Sequence, residues 1–297
     1  MTVSSEGMPT VQADDDGIPE FTFPEGKPPA DMQVSVLEEG KGREIEPEDF
    51  LIVNYVGQVW DADEPFDMSY NTGEPASFPL PNLVPGWAYT LTGRHVGDKV
   101  IISLPPEYGY QEAGNQRAGI GGEDTIVFYI EVVDGWSADS AGQEDATVET
   151  DDSELPVQID GDIGHPVTSL DVKDQQDEPT EQTSKIIAKG SGPEVTGQGS
   201  RVFIAYAATS WDGEVVENSW TGIPASVSGP QTITLGGGTV FDALDGATVG
   251  SRMLLLLPKS DGSETQVSSP SMAVVVDVLG FQPAASAPEE PSEAETD

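Results

Sequence analysis

The sequence predicts an α+β protein made of two copies of one unit, on three observations. The chain echoes itself: "LIVNYVGQVWD" at 51–61 returns as "VFIAYAATSWD" at 202–212, and "VSVLEEGKG" at 34–42 as "SKIIAKGSG" at 184–192. Apolar residues recur mostly with a period of two, the mark of half-buried strands. A single stretch in the first copy, "PGWAYTLTG" at 85–93, breaks that rhythm with a helix signal. A chain of 297 residues has room for about two domains of roughly 150 residues.

Taken in order, "MPTVQADDDGIPEFTF" at 8–23 opens the first copy and is answered by "LPVQIDGDIGHPVTSL" at 155–170. "LIVNYV" alternates its faces. In "KVIISL", Val100, Ile102 and Leu104 face together, and in "TIVFYIEVV", Ile126, Phe128, Ile130 and Val132 share one side. Pro85 can start the helix, Trp87 and Leu91 fall on one face at i and i+4, and Gly93 can stop it. One short helix against an antiparallel sheet is an α+β unit. Residues 137–154, "SADSAGQEDATVETDDSE", hold seven acids and no Lys or Arg, a composition expected to form a linker because it buries too little apolar surface to offset ordering. The expected organisation is an N-terminal segment with the leading strand at 1–45, a first domain at 46–136, the linker at 137–154, a second domain at 155–281 and a disordered Pro-, Ala- and Glu-rich tail at 282–297.

Composition narrows the chemistry. Lys plus Arg is 12 and Asp plus Glu 53, a formal charge of -41 that repels nucleic acid and anionic membrane surfaces. The absence of cysteine excludes disulfides, thiolate metal sites and a thiol nucleophile. His95 and His165 are the only histidines and stand far apart in sequence, which leaves little for a zinc site or a Ser-His-Asp triad. No metal or other cofactor is expected. The acidic "ADDDG" at 13–17 lacks the first ligand and the terminal Glu of an EF-hand loop and reads as solvated surface. No apolar run approaches the roughly 18 residues of a membrane span, so no membrane insertion is expected of these residues. The start "MTVSSEGMPTV" has neither a charged region nor an apolar middle. Acidic segments and the lack of cysteine suit a cell-envelope or secreted protein whose leader precedes Met1, with a cytoplasmic protein as the alternative.

From residue 46 to 134 the motifs "VNYVGQVWD", "FDMSY", "GEPASFPL", "LVPGW", "VGDKVIISLPPEYGY" and "GIGGEDTIVFYIEVVD" follow one another in an order and spacing that resembles the FK506-binding-protein (FKBP) type of peptidyl-prolyl cis-trans isomerase, with the clearest relatives expected among bacteria. The resemblance implies two FKBP-like units, the second degenerate, each a curved antiparallel sheet wrapped around a short helix. It implies catalytic pocket positions at Tyr55, Phe66, Asp67, Trp87, Tyr110 and Phe128 and substrate-binding positions at Leu83, Val84 and Ile120. It also implies proline-containing protein clients and a macrolide ligand of the rapamycin type. Three departures bear on preference. Thr72 stands in place of the usual basic partner of Asp67, Ala76 stands where an aromatic is frequent, and "AGIGGEDT" lacks the usual Pro pair.

The residues support that chemistry independently. Rotation about X-Pro breaks amide resonance over a barrier of about 18–20 kcal/mol and forms no new covalent bond, so an apolar, water-poor pocket is needed rather than a nucleophile or metal. Trp87 would be the floor, Tyr55, Phe66 and Phe128 the walls, and backbone amides or the Tyr110 hydroxyl the anchors for flanking carbonyls. Each aromatic has a competing role in core packing; Asp67 equally suits a turn and Tyr110 a loop clasp. A non-catalytic peptide-binding module or holdase is the competing function.

In the second copy "VENSW" replaces "FDMSY", placing Val216 and Glu217 at the Phe66 and Asp67 positions. Val240 falls near Trp87, Ser263 near Tyr110 and Val274 near Phe128, while Tyr206 keeps the place of Tyr55. That copy is expected to keep the fold and lose the aromatic pocket.

Overall fold

The computed structural model describes residues 1–261 and 268–284, and the chain divides into two compact units, Met1–Ser137 and Ala138–Asp297. In the first, the strands are β1 (Thr2–Val3), β2 (Thr10–Ala13), β3 (Pro19–Thr22), β4 (Gln33–Glu38), β5 (Phe50–Val59), β6 (Asp67–Met68), β7 (Ala76–Pro79), β8 (Lys99–Leu104) and β9 (Ile126–Trp136), with one α-helix, α1 (Pro85–Leu91), and short 3₁₀ turns. The second holds β10 (Thr147–Val148), β11 (Val157–Asp160), β12 (Ser169–Val172), β13 (Thr183–Lys189), β14 (Arg201–Ser210), β15 (Val216–Asn218), β16 (Gln231–Thr234), β17 (Arg252–Leu257) and β18 (Met272–Gln282).

The first sheet runs β1-β4-β8-β9-β5-β6 with β7 also on β5; the second runs β10-β13-β17-β18-β14-β15 with β16 also on β14. The irregularities correspond as well as the order does. Register shifts fall between Val36 and Glu38 on β4 and between Ile52 and Val53 on β5, and again between Ile186 and Ala188 on β13 and between Phe203 and Ile204 on β14. An extra residue in one strand raises local twist and bends the sheet. Pairing is antiparallel throughout both sheets except for β1 on β4, which is parallel.

Alternation along the central strands gives each sheet two apolar faces. In the first unit Val100, Ile102, Leu104, Phe128 and Ile130 turn toward α1 and are buried with Trp87 and Leu91. Ile101, Val127 and Tyr129 point the other way and are covered by Met8, Val11, Phe21 and Phe23, from the hairpin β2–β3 and its flanks. The hairpin β11–β12 is its counterpart in the second unit. Pro85 occupies the first turn of α1, where the missing N–H costs nothing. Gly86 lies so close to Leu104 that a Cβ there would stand 2.4 Å from its Cδ2.

Three expectations need correction. Residues 138–154 are not a linker but the opening of the second unit: β10 pairs with β13, the Gly142 amide donates to Asp277 Oδ2 at 2.8 Å, and the Trp220 indole donates to Ser140 O at 2.8 Å. Composition misled because backbone and side-chain hydrogen bonds, not apolar burial, hold this segment. Residues 1–45, expected to hold the leading strand of the first unit, lie in one compact unit with 46–136. In the second unit the place of α1 is taken by a 3₁₀ turn at Val240–Leu244, where Asp242 accepts from the amides of Gly236 and Gly238 at 2.8 and 2.9 Å. The expected tail starts inside β18, and its residues 285–297 lie outside the described residues, as does Ser263.

Candidate active site

The site lies on the face of the first sheet that packs against α1, between β5, β9 and the helix. Tyr55, on β5, sits directly opposite Ile130, and Gly57, two residues on, faces Phe128 on β9. Alternation therefore sends Tyr55 and Phe128 to the same face. The helix brings Trp87 down onto them: its ring meets Phe128 edge-on at 5.3 Å between centroids and Tyr55 at 5.8 Å. Phe66, just before β6, closes one side, T-shaped to Phe128 at 5.6 Å. Such edge-to-face pairs each add about 0.5–1.5 kcal/mol beyond area burial and fix ring orientation.

Tyr55, Trp87, Ile120 and Phe128 are buried, whereas Phe66, Leu83, Val84 and Tyr110 are half-buried against them. All but Asp67 of the nine sequence-identified residues thus join one apolar cluster. Asp67 is exposed at the rim and accepts a hydrogen bond from the Tyr55 hydroxyl at 2.6 Å. Burial, reinforced by that carboxylate, pushes the Tyr55 phenol far above its usual value, so it stays a neutral donor. The Tyr55 amide donates to the buried Ser69 Oγ at 3.0 Å, which fixes the turn after Asp67.

The departures noted in the sequence have visible consequences. Thr72 does not reach Asp67; its hydroxyl serves the backbone of Ser69 and Glu74, so Asp67 is held by Tyr55 instead. Beside Ala76, the ring of Phe78 lies 5.9 Å from Tyr55 and 6.5 Å from Trp87. Sequence reasoning missed Phe78, although it stands two residues from Ala76 on the alternation of β7. It missed Gly57 as well. At the end of the site, two backbone hydrogen bonds between Asn115 and Ile120 clasp the loop that carries Tyr110 and Ile120. The Val84 amide, at the start of α1, donates to no backbone carbonyl among the described residues.

In the second unit the register puts Ala208 opposite Glu217 and Val274, as Gly57 stands opposite Asp67 and Phe128. Tyr206 donates to Glu217 at 2.8 Å, and its amide donates to Ser219 Oγ at 2.9 Å, repeating the Tyr55 pattern. Val216, by contrast, is 47% exposed and leaves no wall. The expectation that Val240 marks the Trp87 position needs adjusting: Phe241 is the ring that meets Tyr206, at 5.9 Å. Among the described residues, Tyr206 therefore keeps one ring partner, Phe241, at the site.

A family model described as FKBP-type peptidyl-prolyl cis-trans isomerase matches residues 41–133. The chain is 41% identical over 99 residues to the FKBP-type peptidyl-prolyl cis-trans isomerase FkpA of Escherichia coli, a match covering 33% of this chain and 36% of that protein. It spans about a third of the length of that relative. With the probable FK506-binding protein of Corynebacterium glutamicum it shares 33% identity over 117 residues, covering 39% of this chain and 96% of the relative. Among solved structures, the crystal structure of FkpA from Escherichia coli aligns at 32% identity with a TM-score of 0.34, covering 44% of this chain and 53% of that one. A relative matched over nearly its whole length, together with the family match across the strands and helix that carry the aromatic cluster, shows that the chain belongs to the FKBP-type peptidyl-prolyl cis-trans isomerase family.

Proposed function

We propose that the first unit catalyses cis-trans rotation about X-Pro bonds in protein clients and so assists their folding. The observation that carries this reading is the convergence of Tyr55, Phe66, Trp87 and Phe128, in ring contacts of 5.3–6.5 Å, beside a rim acid bonded to Tyr55. Trp87 forms the floor, and Phe66, Phe128 and Tyr55 form the walls around the proline ring. In the planar amide, resonance separates charge between O and N; in the twisted amide that separation falls. A water-poor aromatic site therefore favours the twisted form over the planar one, and only such preferential stabilisation raises the rate. Each 1.36 kcal/mol of it is worth about tenfold.

The client's flanking carbonyls need donors that the protein has not already used. The Val84 amide and the Tyr110 hydroxyl fill that role, while Leu83 and Ile120 complete the apolar rim. No acid–base step is required, because rotation about the X-Pro bond makes and breaks no bond to hydrogen.

The second unit is, on this reading, a degenerate FKBP-like domain that keeps the sheet and the tyrosine–acid pair and serves as an auxiliary client-binding surface. A macrolide of the rapamycin type, which presents a proline-like amide, is the diagnostic ligand for the first unit. Its binding should quench tryptophan fluorescence, and Trp87→Leu should abolish the quench and weaken affinity at least about tenfold. Affinity unchanged in Trp87→Leu would remove the floor assignment.

A further inference from the structure

Gly57 has ordinary strand backbone, so conformational freedom does not explain a glycine in the middle of β5. Space does. A Cβ at this position would lie 2.7 Å from Phe128 Cε1 and 2.8 and 2.9 Å from Phe66 Cζ and Cε2. Those distances are far inside carbon–carbon contact, at roughly 3.5–4.0 Å. The two rings meet edge to face over the bare strand, and the Phe66 amide donates to Gly57 O at 2.9 Å. The hydrogen atom of Gly57 is therefore the surface on which the wall is built.

The second unit supplies the contrast within the same molecule. Its position of the same register carries Ala208, and the two rings are replaced by Val216 and Val274. All three changes go together: a methyl group on the strand and a valine at each of the two ring positions.

From this we infer that Gly57 is a positioning residue for the isomerase site, holding open the space in which Phe66 packs against Phe128, and that Ala208 closes that space in the second unit. The inference rests on the proposed function for its catalytic consequence, but not for its structural one. Phe128 is buried at 4% exposure, whereas Phe66 is half-buried and has solvent on one side. A methyl at position 57 therefore expels Phe66 from the wall before it unfolds the sheet.

The test is a mutant cycle in the full chain. Gly57→Ala is made in the parent and in a Phe66→Val/Phe128→Val background, which reproduces the residues of the second unit; stability is read by denaturant unfolding and aromatic packing by near-ultraviolet circular dichroism. In the parent, Gly57→Ala should lower the unfolding midpoint and the aromatic signal, and reduce kcat/KM on a proline tetrapeptide by roughly ten- to a hundredfold. In the double-valine background the loss of midpoint should vanish, because contacting residues couple whereas independent ones add. A Gly57→Ala chain that folds only in the double-valine background supports the inference equally. Equal costs in both backgrounds, failure to fold in both, or parental kcat/KM and aromatic signal in Gly57→Ala would overturn it. If the parent itself fails to isomerise proline, the proposed function falls, while the coupling between position 57 and the rings is still decided by the unfolding data.

Discussion

Phe66 is the residue at which a pocket wall and a core residue part company. A buried Phe truncated to Ala costs about 3–5 kcal/mol of stability; Phe66, half-buried at the rim, should cost less and yet lower kcat/KM well beyond what the lost stability explains. Denaturant unfolding and a protease-coupled proline-peptide assay on Phe66→Ala measure the two effects, and parental activity in a destabilised protein would assign the ring to packing alone. Tyr55 gives a second prediction. Its phenol is pushed far up by burial and by Asp67, so the folded state binds that proton more tightly than the unfolded chain does. The resulting stability is complete below about pH 10, the unfolded value, and is lost as pH rises through the folded one. Tyr55→Phe should flatten the alkaline fall in unfolding free energy without abolishing it, since Tyr70 and Tyr206 are raised in the same way by burial. An unchanged slope would contradict the assignment. At this scale the sequence was informative where several aromatics kept one order and spacing, as Phe66 in "FDMSY" and Trp87 in "LVPGW" do. It was silent on Gly57, whose role exists only once two distant rings are packed over it.

Elements were legible in proportion to their punctuation. Pro85 and Gly93 bracket α1, and the Trp87/Leu91 spacing marks its buried face, 3% and 0% exposed. The equivalent segment of the second unit, "GGGTVFDALDG", has no such start signal, and the Asp242 carboxylate ties its glycine amides into a 3₁₀ turn. Residues 138–154 were misread because their order comes from pairing with partners remote in sequence, which composition does not report. The charged pairs show the same dependence on partners. Lys99 stands opposite Glu131 and Arg252 opposite Asp277 in matching register. Lys99 is 35% exposed at 3.4 Å from Glu131, whereas Arg252 is 1% exposed at 2.7 Å from Asp277 and also donates to the carbonyls of Gly161, Asp162 and His165 in the turn between β11 and β12. Removing one member of a buried pair strands the other, so Arg252→Ala should cost about 3–5 kcal/mol, against about 0–1 kcal/mol for Lys99→Ala. Equal costs in chemical denaturation would mean that the Arg252 pair does not clamp the hairpin.

At the scale of the molecule, one topology is used twice with different contents. Bulge for bulge the sheets correspond, and the tyrosine–acid pair recurs, yet among the described residues the wall of rings stands in the first alone. The repeat was legible because strands keep their alternation when side chains change. The proposed division of labour rests on Phe and Asp giving way to Val and Glu at a position where ring and aliphatic chain are not equivalent. On the proposed function, the aromatic cluster of the first unit turns X-Pro bonds. The direct measurement is the cis-to-trans rate of a proline tetrapeptide, in a protease-coupled assay, with residues 1–137 and residues 138–297 produced separately and each first shown to be folded by circular dichroism. The expected result is that 1–137 carries the kcat/KM of the whole chain and that 138–297 is no faster than buffer. Equal activity in the two fragments, or none in a folded 1–137, would contradict it.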